Sequence, residues 1–214
     1  MQYEGVLTKM QTEFADPIQY YLVFDDGFLH MNQLLGKDVE LVKMGTRCLG
    51  CGKSKQIFAQ GFCYQCFSTS PQAGDWIMRP ELSTAHLGIA DRDLDYESKV
   101  QLQPHIVYLA CASDIKVGVT RKTQVPTRWI DQGASYAVPI LEVPNRYLAG
   151  ITEVTLKERF TDKISWKKML CGDGTPHDLR RARLNLADVL PAEVRAYFDP
   201  AKEDFYELKY PVLQ

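Results

Sequence analysis

The sequence predicts an α+β protein in which an N-terminal antiparallel sheet and a cysteine-rich segment precede a β-β-α-β-α unit and a C-terminal extension. Three observations predict it. Short aromatic and β-branched runs separated by turn residues fill the first 47 residues. Two Cys-x-x-Cys pairs follow, and from His105 onward strand-length runs alternate with helix-period ones. With 214 residues, 45% of them apolar, the chain can bury one generous core or two small ones.

Gly5 to Thr8 and Tyr20 to Phe24 read as strands separated by Asp16-Pro17, and Phe28 to Leu35 as a third strand after the turn Asp25-Asp26-Gly27. Residues 67–104 mix Pro, Asp and short polar stretches, and read as a long connection with one helical turn. His105 to Cys111 and Ile115 to Arg121 form a hairpin around Ala112-Ser113-Asp114. A short helix begins at about Pro126 and ends before Gly133, since Pro suits a first turn and Gly the position past the end. Tyr136 to Val143 is a further strand, and Arg146 to Asp162 a helix with Tyr147, Ile151 and Val154 at helical spacing. Leu179 to Leu190, a shorter helix from Pro191 and a strand from Phe205 to Val212 complete the chain, the strand expected to join the N-terminal sheet. The expected divisions are 1–47, 48–104, 105–170 and 171–214.

Cys48, Cys51, Cys63 and Cys66 form C-x2-C, eleven residues, C-x2-C. Each C-x2-C turn offers two thiolates to one ion, and two such turns complete a tetrahedral zinc shell. Unrelated buried cysteines would not repeat the spacing, and a redox pair would need only one such turn. With four cysteine ligands no coordination position stays open, so the zinc is expected to be structural, holding together a strand-poor segment where little core exists. Cys111 and Cys171 stand alone and read as buried thiols.

The formal charge of −2 hides a gradient. Residues 1–104 hold 9 basic against 13 acidic side chains, residues 105–170 hold 10 against 6, and residues 171–214 hold 6 against 8. A positive middle segment is compatible with a phosphate-bearing partner and equally with an ordinary surface. No apolar run approaches the roughly 20 residues that cross a bilayer. Met1 is followed by polar, strand-like sequence instead of a basic stretch and an apolar core, so a soluble cytoplasmic protein with no membrane partner is expected. Nothing in the pattern indicates an oligomeric state.

His105-Ile106-Val107-Tyr108-Leu109 followed by Lys116-Val117-Gly118-Val119, with Arg128 on the next helix and Glu153 on the last, resembles the GIY-YIG endonuclease superfamily over about residues 105–170. Across its length, through the four cysteines, Arg128-Trp129-Ile130-Asp131-Gln132-Gly133-Ala134 and Pro144-Asn145-Arg146, the chain resembles domain of unknown function 2797. The first resemblance implies a GIY-YIG-like unit that cuts phosphodiester bonds with a magnesium or manganese ion. It assigns Tyr108 as general base, Arg128 as the charge-stabilising cation and Glu153 as metal ligand. The chain departs from that pattern at Lys116, which replaces the second motif's tyrosine, at Ile106, which replaces a glycine, and in lacking a matching late asparagine.

If the hairpin turn has three residues, Tyr108 lies opposite Gly118, whose missing side chain leaves room beside the phenol. Glu153 would point back over Ala149 and Gly150 into an open groove. Lys116 and Gly118, with Arg121 and Lys122 at the hairpin exit, are the candidate nucleic-acid contacts. Taken singly, each has an ordinary reading: a half-buried strand tyrosine, a surface arginine, a solvated glutamate. His105, on the motif strand, is the one histidine placed to assist proton transfer, whereas Trp129 and Trp166 are either stacking platforms or core residues. Two functions follow: a zinc-bearing, nucleic-acid-directed phosphodiesterase, or a non-catalytic module that binds nucleic acid or protein on the same fold.

Overall fold

The structure is a computed structural model that describes residues 2–112, 114–158, 179–202 and 204–212. The chain divides into two compact units, Met1–Ala73 with Lys209–Gln214 and Gly74–Leu208. Both contain antiparallel sheet, and helices accompany the sheet of the second, so the α+β class holds.

The first unit carries a three-stranded sheet in the order β1 (Gln11–Glu13), β2 (Gln19–Val23), β3 (Phe28–His30). Gly5 to Thr8 is not a strand; only isolated bonds hold it, such as the Thr8 N–H donating to the Val23 carbonyl at 2.8 Å. The third strand is also shorter than its apolar run predicts, giving way to a 3₁₀ turn over Met31–Leu34. Asn32 explains the change. Its Oδ1 accepts from Tyr20 N at 2.9 Å and its Nδ2 donates to the Ile18 carbonyl at 2.8 Å, so a side chain takes backbone partners that a longer strand would have used. Residues 48–69 fold into two metal-type loops and helix α1 (Tyr64–Thr69), with Cys48, Phe62, Cys63 and Ala73 as their small core.

In the second unit the expected connection holds more structure than its composition suggests: successive 3₁₀ turns over Asp75–Ile77, Pro80–Leu82 and Ala85–Leu87, then helix α2 (Leu94–Gln101). Helix α2 buries Glu97 and Gln101 instead of an apolar stripe, which is why periodicity does not find it. Strands β4 (His105–Cys111) and β5 (Ile115–Arg121), helix α3 (Thr127–Asp131), strand β6 (Tyr136–Val143) and helix α4 (Arg146–Lys157) follow in the expected order. Residues 159–178, which include the remainder of the expected last helix as well as Trp166, Cys171 and His177, lie outside the described residues. Helix α5 (Leu179–Leu184) and 3₁₀ turns over Ala187–Val189 and Ala192–Tyr197 occupy the expected C-terminal helices.

The sheet order is β5-β4-β6-β7, with β7 (Tyr206–Glu207) on β6, so the last strand joins this sheet instead of the N-terminal one. Lys209, two residues on, accepts the Ile18 N–H through its carbonyl at 2.8 Å within the first unit. One sheet face carries Val107, Leu109, Cys111, Val117, Val138 and Val143, which with Ala149 and Leu156 of α4 and Leu179, Leu186, Leu190 and Val194 form the core. Between Val107 and Tyr108 the β4–β6 register shifts, and Arg183 fills the irregularity from α5. It donates to the Pro139 carbonyl at 2.9 Å and, within 3.5 Å, to those of Ile140 and Asp199, satisfying carbonyls that the ladder leaves over.

Helix α4 is rotated from the phase that its large apolar residues predict. Ala149, Gly150, Thr152, Glu153 and Leu156 are buried, whereas Val154 is 46% exposed. The small residues allow a close approach: Gly150 packs against the backbone of Pro80 and Glu81 with no space for a Cβ. Glu153 therefore sits on the packed face of its helix and not on a solvated one.

Candidate functional site

The four cysteines converge. Their ligand atoms all lie within 4.8 Å of one another, against a sulfur–sulfur spacing of about 3.8 Å for a zinc–thiolate tetrahedron. Hydrogen bonds build the pocket: the Leu49 N–H donates to the Gly61 carbonyl at 2.9 Å, tying the first Cys-x-x-Cys loop to the second, and the Cys63 N–H donates to Cys48 Sγ at 3.2 Å. Gly52 has φ +69°, and a Cβ at Gly50 would press on Cys66 at 2.9 Å, so the first loop needs glycine at both positions.

Charge completes the case for a metal. Backbone N–H groups of Cys63 and Cys51 lower the Cys48 thiol to about 6, favouring thiolate. The Cys66 thiol is pushed up to about 12 by hydrogen bonding to Cys63 and by burial. Four sulfurs this close cannot all ionise by themselves, and a divalent cation is the counterion that lets them. An ion held by all four sulfurs would have no open position for a reacting ligand.

The second constellation lies in the other unit. Tyr108 stands opposite Gly118, as the hairpin geometry predicts, but the room beside Gly118 is taken by the phenol itself: a Cβ there would meet Tyr108 Oη at 2.7 Å. Tyr108 is fully buried, donates to Gln132 Oε1 at 2.9 Å and meets Trp129 edge-on at 5.8 Å. Burial pushes its phenol up to about 12; the nearby Glu153 charge adds to the rise, and Arg128 opposes it. Arg128 and Glu153 thus both act on Tyr108, although they come from different helices. Trp129, also fully buried, packs in the core.

The expected open groove at Glu153 is closed. The residue is 9% exposed, Lys157 lies 3.7 Å from its carboxylate, and burial raises its pKa while Lys157 and Arg146 pull it back. Lys116 is also buried and lowered to about 8, first by burial and then by Arg128. Arg121 is half-buried beside His105 and Arg146. Lys122 turns away to pair with Glu142 at 3.0 Å. His105 is buried, its Nδ1 bonded to the Gln103 carbonyl at 2.7 Å, and burial lowers it to about 4, so it is neutral near pH 7.

Arg146, at the start of α4, is central. It donates to the Trp76 and Ile77 carbonyls at 3.1 and 2.8 Å and lies 5.6 Å from the Trp76 ring centre. Burial lowers it to about 10, Glu153 supports its charge, and Arg121 and Arg128 oppose it. The only local hint was its place after Asn145, whose side chain caps α4 by accepting from the Leu148 N–H at 2.9 Å. Gln132, which holds the Tyr108 hydroxyl, carries no signal in the sequence beyond its place in the stretch from Arg128 to Ala134.

No helix among the described residues is long and apolar enough to cross a membrane. A family model described as protein of unknown function (DUF2797) matches residues 36–214. No curated protein matches this chain, and no solved structure does.

Proposed function

We propose, for a chain that belongs to that family of unknown function, a zinc-stabilised module that grips the phosphate backbone of a nucleic acid through the basic cluster of its second unit. The observation that carries this reading is a linked set of cations: the exposed Arg128 acts on the buried Lys116 and on the half-buried Arg146, and Arg121 acts on Arg146, with Glu153 and Glu81 as the acidic members nearby. Like charges held together in a partly dry site repel, and an anion relieves the repulsion. Zinc fits the four-thiolate shell because it favours tetrahedral sulfur without redox change. The four thiols of Cys48, Cys51, Cys63 and Cys66, gathered in one cluster without a disulfide between them, accord with a reducing compartment such as the cytoplasm.

The second reading, a GIY-YIG-like phosphodiesterase using Tyr108, Arg128 and Glu153 with magnesium or manganese, is favoured by one observation: Arg128 and Glu153 both act on the Tyr108 phenol. Binding is preferred because the phenol is sealed, is bonded to Gln132 and holds its proton to about 12, which suits a base poorly near neutral pH.

The test measures binding and cleavage together, with labelled DNA and RNA plus magnesium or manganese. The binding module retains nucleic acid without cutting it, and Arg128→Ala weakens retention by about tenfold, the worth of one charge-assisted contact. Metal-dependent cleavage abolished by Glu153→Ala would replace this reading with the enzymatic one. No retention and no cleavage would remove both.

A further inference from the structure

We infer that the cysteine loops of the first unit are themselves a binding surface for single-stranded nucleic acid, with Phe58 and Tyr64 as base-stacking platforms and Arg47, Lys53 and Lys55 as phosphate contacts. The inference takes its class of partner from the reading above and rests on different residues in a different unit.

Two features carry it. The first is charge. From Leu41 to Gly74 the chain has Lys43, Arg47, Lys53 and Lys55 and not one Asp or Glu, in a protein whose total is −2. Four thiolates around a divalent ion carry a net charge of two minus, so the segment keeps a positive balance even with the metal bound. Its cations have no carboxylate in the segment to pair with. Arg47, Lys53 and Lys55 are exposed and share one arm: Arg47 bridges Ser54, the Cys48 N–H donates to the Lys53 carbonyl at 3.0 Å, and Thr46 Oγ1 donates to the Lys55 carbonyl at 2.8 Å.

The second feature is apolar surface where a small folded segment would be expected to hide it. Phe58 is 59% and Tyr64 69% exposed, and their rings stand 5.2 Å apart at 87°. The Phe67 ring lies 5.2 Å from that of Phe58, tilted by 60°, and the Phe58 N–H donates to the Phe62 carbonyl at 2.8 Å. The platform is therefore fixed to the metal loops instead of swinging free. The hydrogen bond from Leu49 to Gly61 joins the cationic arm to the aromatic one.

Ring faces beside cations that have no carboxylate partner among the described residues match a chain of unstacked bases linked by phosphates. A duplex hides its base faces and would use only the cations. An anionic bilayer is held by clusters of about four to eight Lys or Arg, more than the three on this arm, and an acidic protein segment would leave the rings without a partner of their own kind.

The experiment uses the full chain loaded with zinc, and fluorescence anisotropy of labelled oligothymidylate, oligouridylate and duplex of about 16 nucleotides. Single strands bind more tightly than the duplex. Phe58→Ala and Tyr64→Ala each weaken single-strand binding by about tenfold, with zinc content unchanged. Tyr64→Trp keeps the affinity. Replacing Lys53 and Lys55 by alanine reduces the salt slope by about 0.7 per cation. If Phe58→Ala loses zinc, Tyr64→Ala decides, because its ring is the more exposed.

Unchanged affinity in Tyr64→Ala with zinc retained overturns the inference, as does tighter capture by phosphatidylserine vesicles or by an acidic peptide. Arg128→Ala separates the two sites. Binding lost in Tyr64→Ala and kept in Arg128→Ala upholds this surface and removes the one on the second unit. The reverse pattern removes this surface alone, and absence of any binding removes both.

Discussion

Lys116 shows how one residue in a dry setting changes what a strand can do. At Ala110↔Lys116, two pairs from Tyr108↔Gly118, it lies on the same sheet face as the buried phenol, and burial with the neighbouring Arg128 lowers it to about 8. An ammonium in that state is charged at neutral pH but close to losing its proton. A bound phosphate would favour the charged form, so affinity for nucleic acid is expected to fall by about tenfold as pH rises from about 7 to about 9. Stability should move the other way. The unfolded chain, with its lysine near 10.5, holds the proton that the folded chain has already released above about 8, and this contribution to stability therefore grows with pH across that interval. Binding isotherms across the pH range check the first expectation, and urea titrations the second. Lys116→Arg, which stays charged, should flatten the binding profile. A wild-type profile already flat would place Lys116 outside the phosphate contact.

At the scale of the element, the sequence is most legible where structure is local. The β4–β5 hairpin, its register, α3 before Gly133 and β6 follow from alternation and turn chemistry, and the metal loops follow from four cysteines at fixed spacing. Elements held by polar groups were not legible. Glu97 is the clearest case, a fully buried carboxylate that accepts the N–H groups of Asp91, Arg92 and Asp93 at 2.7–2.9 Å while Asp93 caps α2 through the Tyr96 N–H. Nothing in the composition of residues 91–101 distinguishes that carboxylate from a solvated one. The phase of α4 was missed for a related reason, since large residues suggested its stripe and small ones made the contact. Arg146 reaches carbonyls 69 and 70 positions earlier, a pairing that no local window contains. Glu97→Ala should leave three N–H groups unsatisfied and cost about 3 kcal/mol. Glu97→Gln, which keeps one acceptor oxygen, should cost less. Urea denaturation of both variants checks the order, and equal stabilities would mean that water replaces the carboxylate.

At the scale of the molecule, the two units draw on different sources of stability. The second buries a continuous apolar cluster from β4, β5 and β6 to α4, α5 and Val194. The metal segment has only Cys48, Phe62, Cys63 and Ala73, with Ile57, Cys66 and Phe67 against them, and two of its four core members are metal-type ligands. So small a cluster cannot offset the entropy of ordering its loops, whereas a structural zinc site contributes on the order of 10 kcal/mol. Removing the metal should therefore act locally. A chelator is expected to open residues 46–73 to proteolysis while the second unit keeps its far-ultraviolet dichroism and its melting transition. Cys51→Ser should reproduce the effect without chelator. Acid should do the same, because the thiolates must take up protons as the ion leaves. Cleavage mapped by mass spectrometry locates the change. Should the chelated chain resist protease in this segment as the untreated chain does, hydrogen bonds such as Leu49 to Gly61 and the aromatic contacts would suffice to hold the loops, and the four sulfurs would lose their structural role.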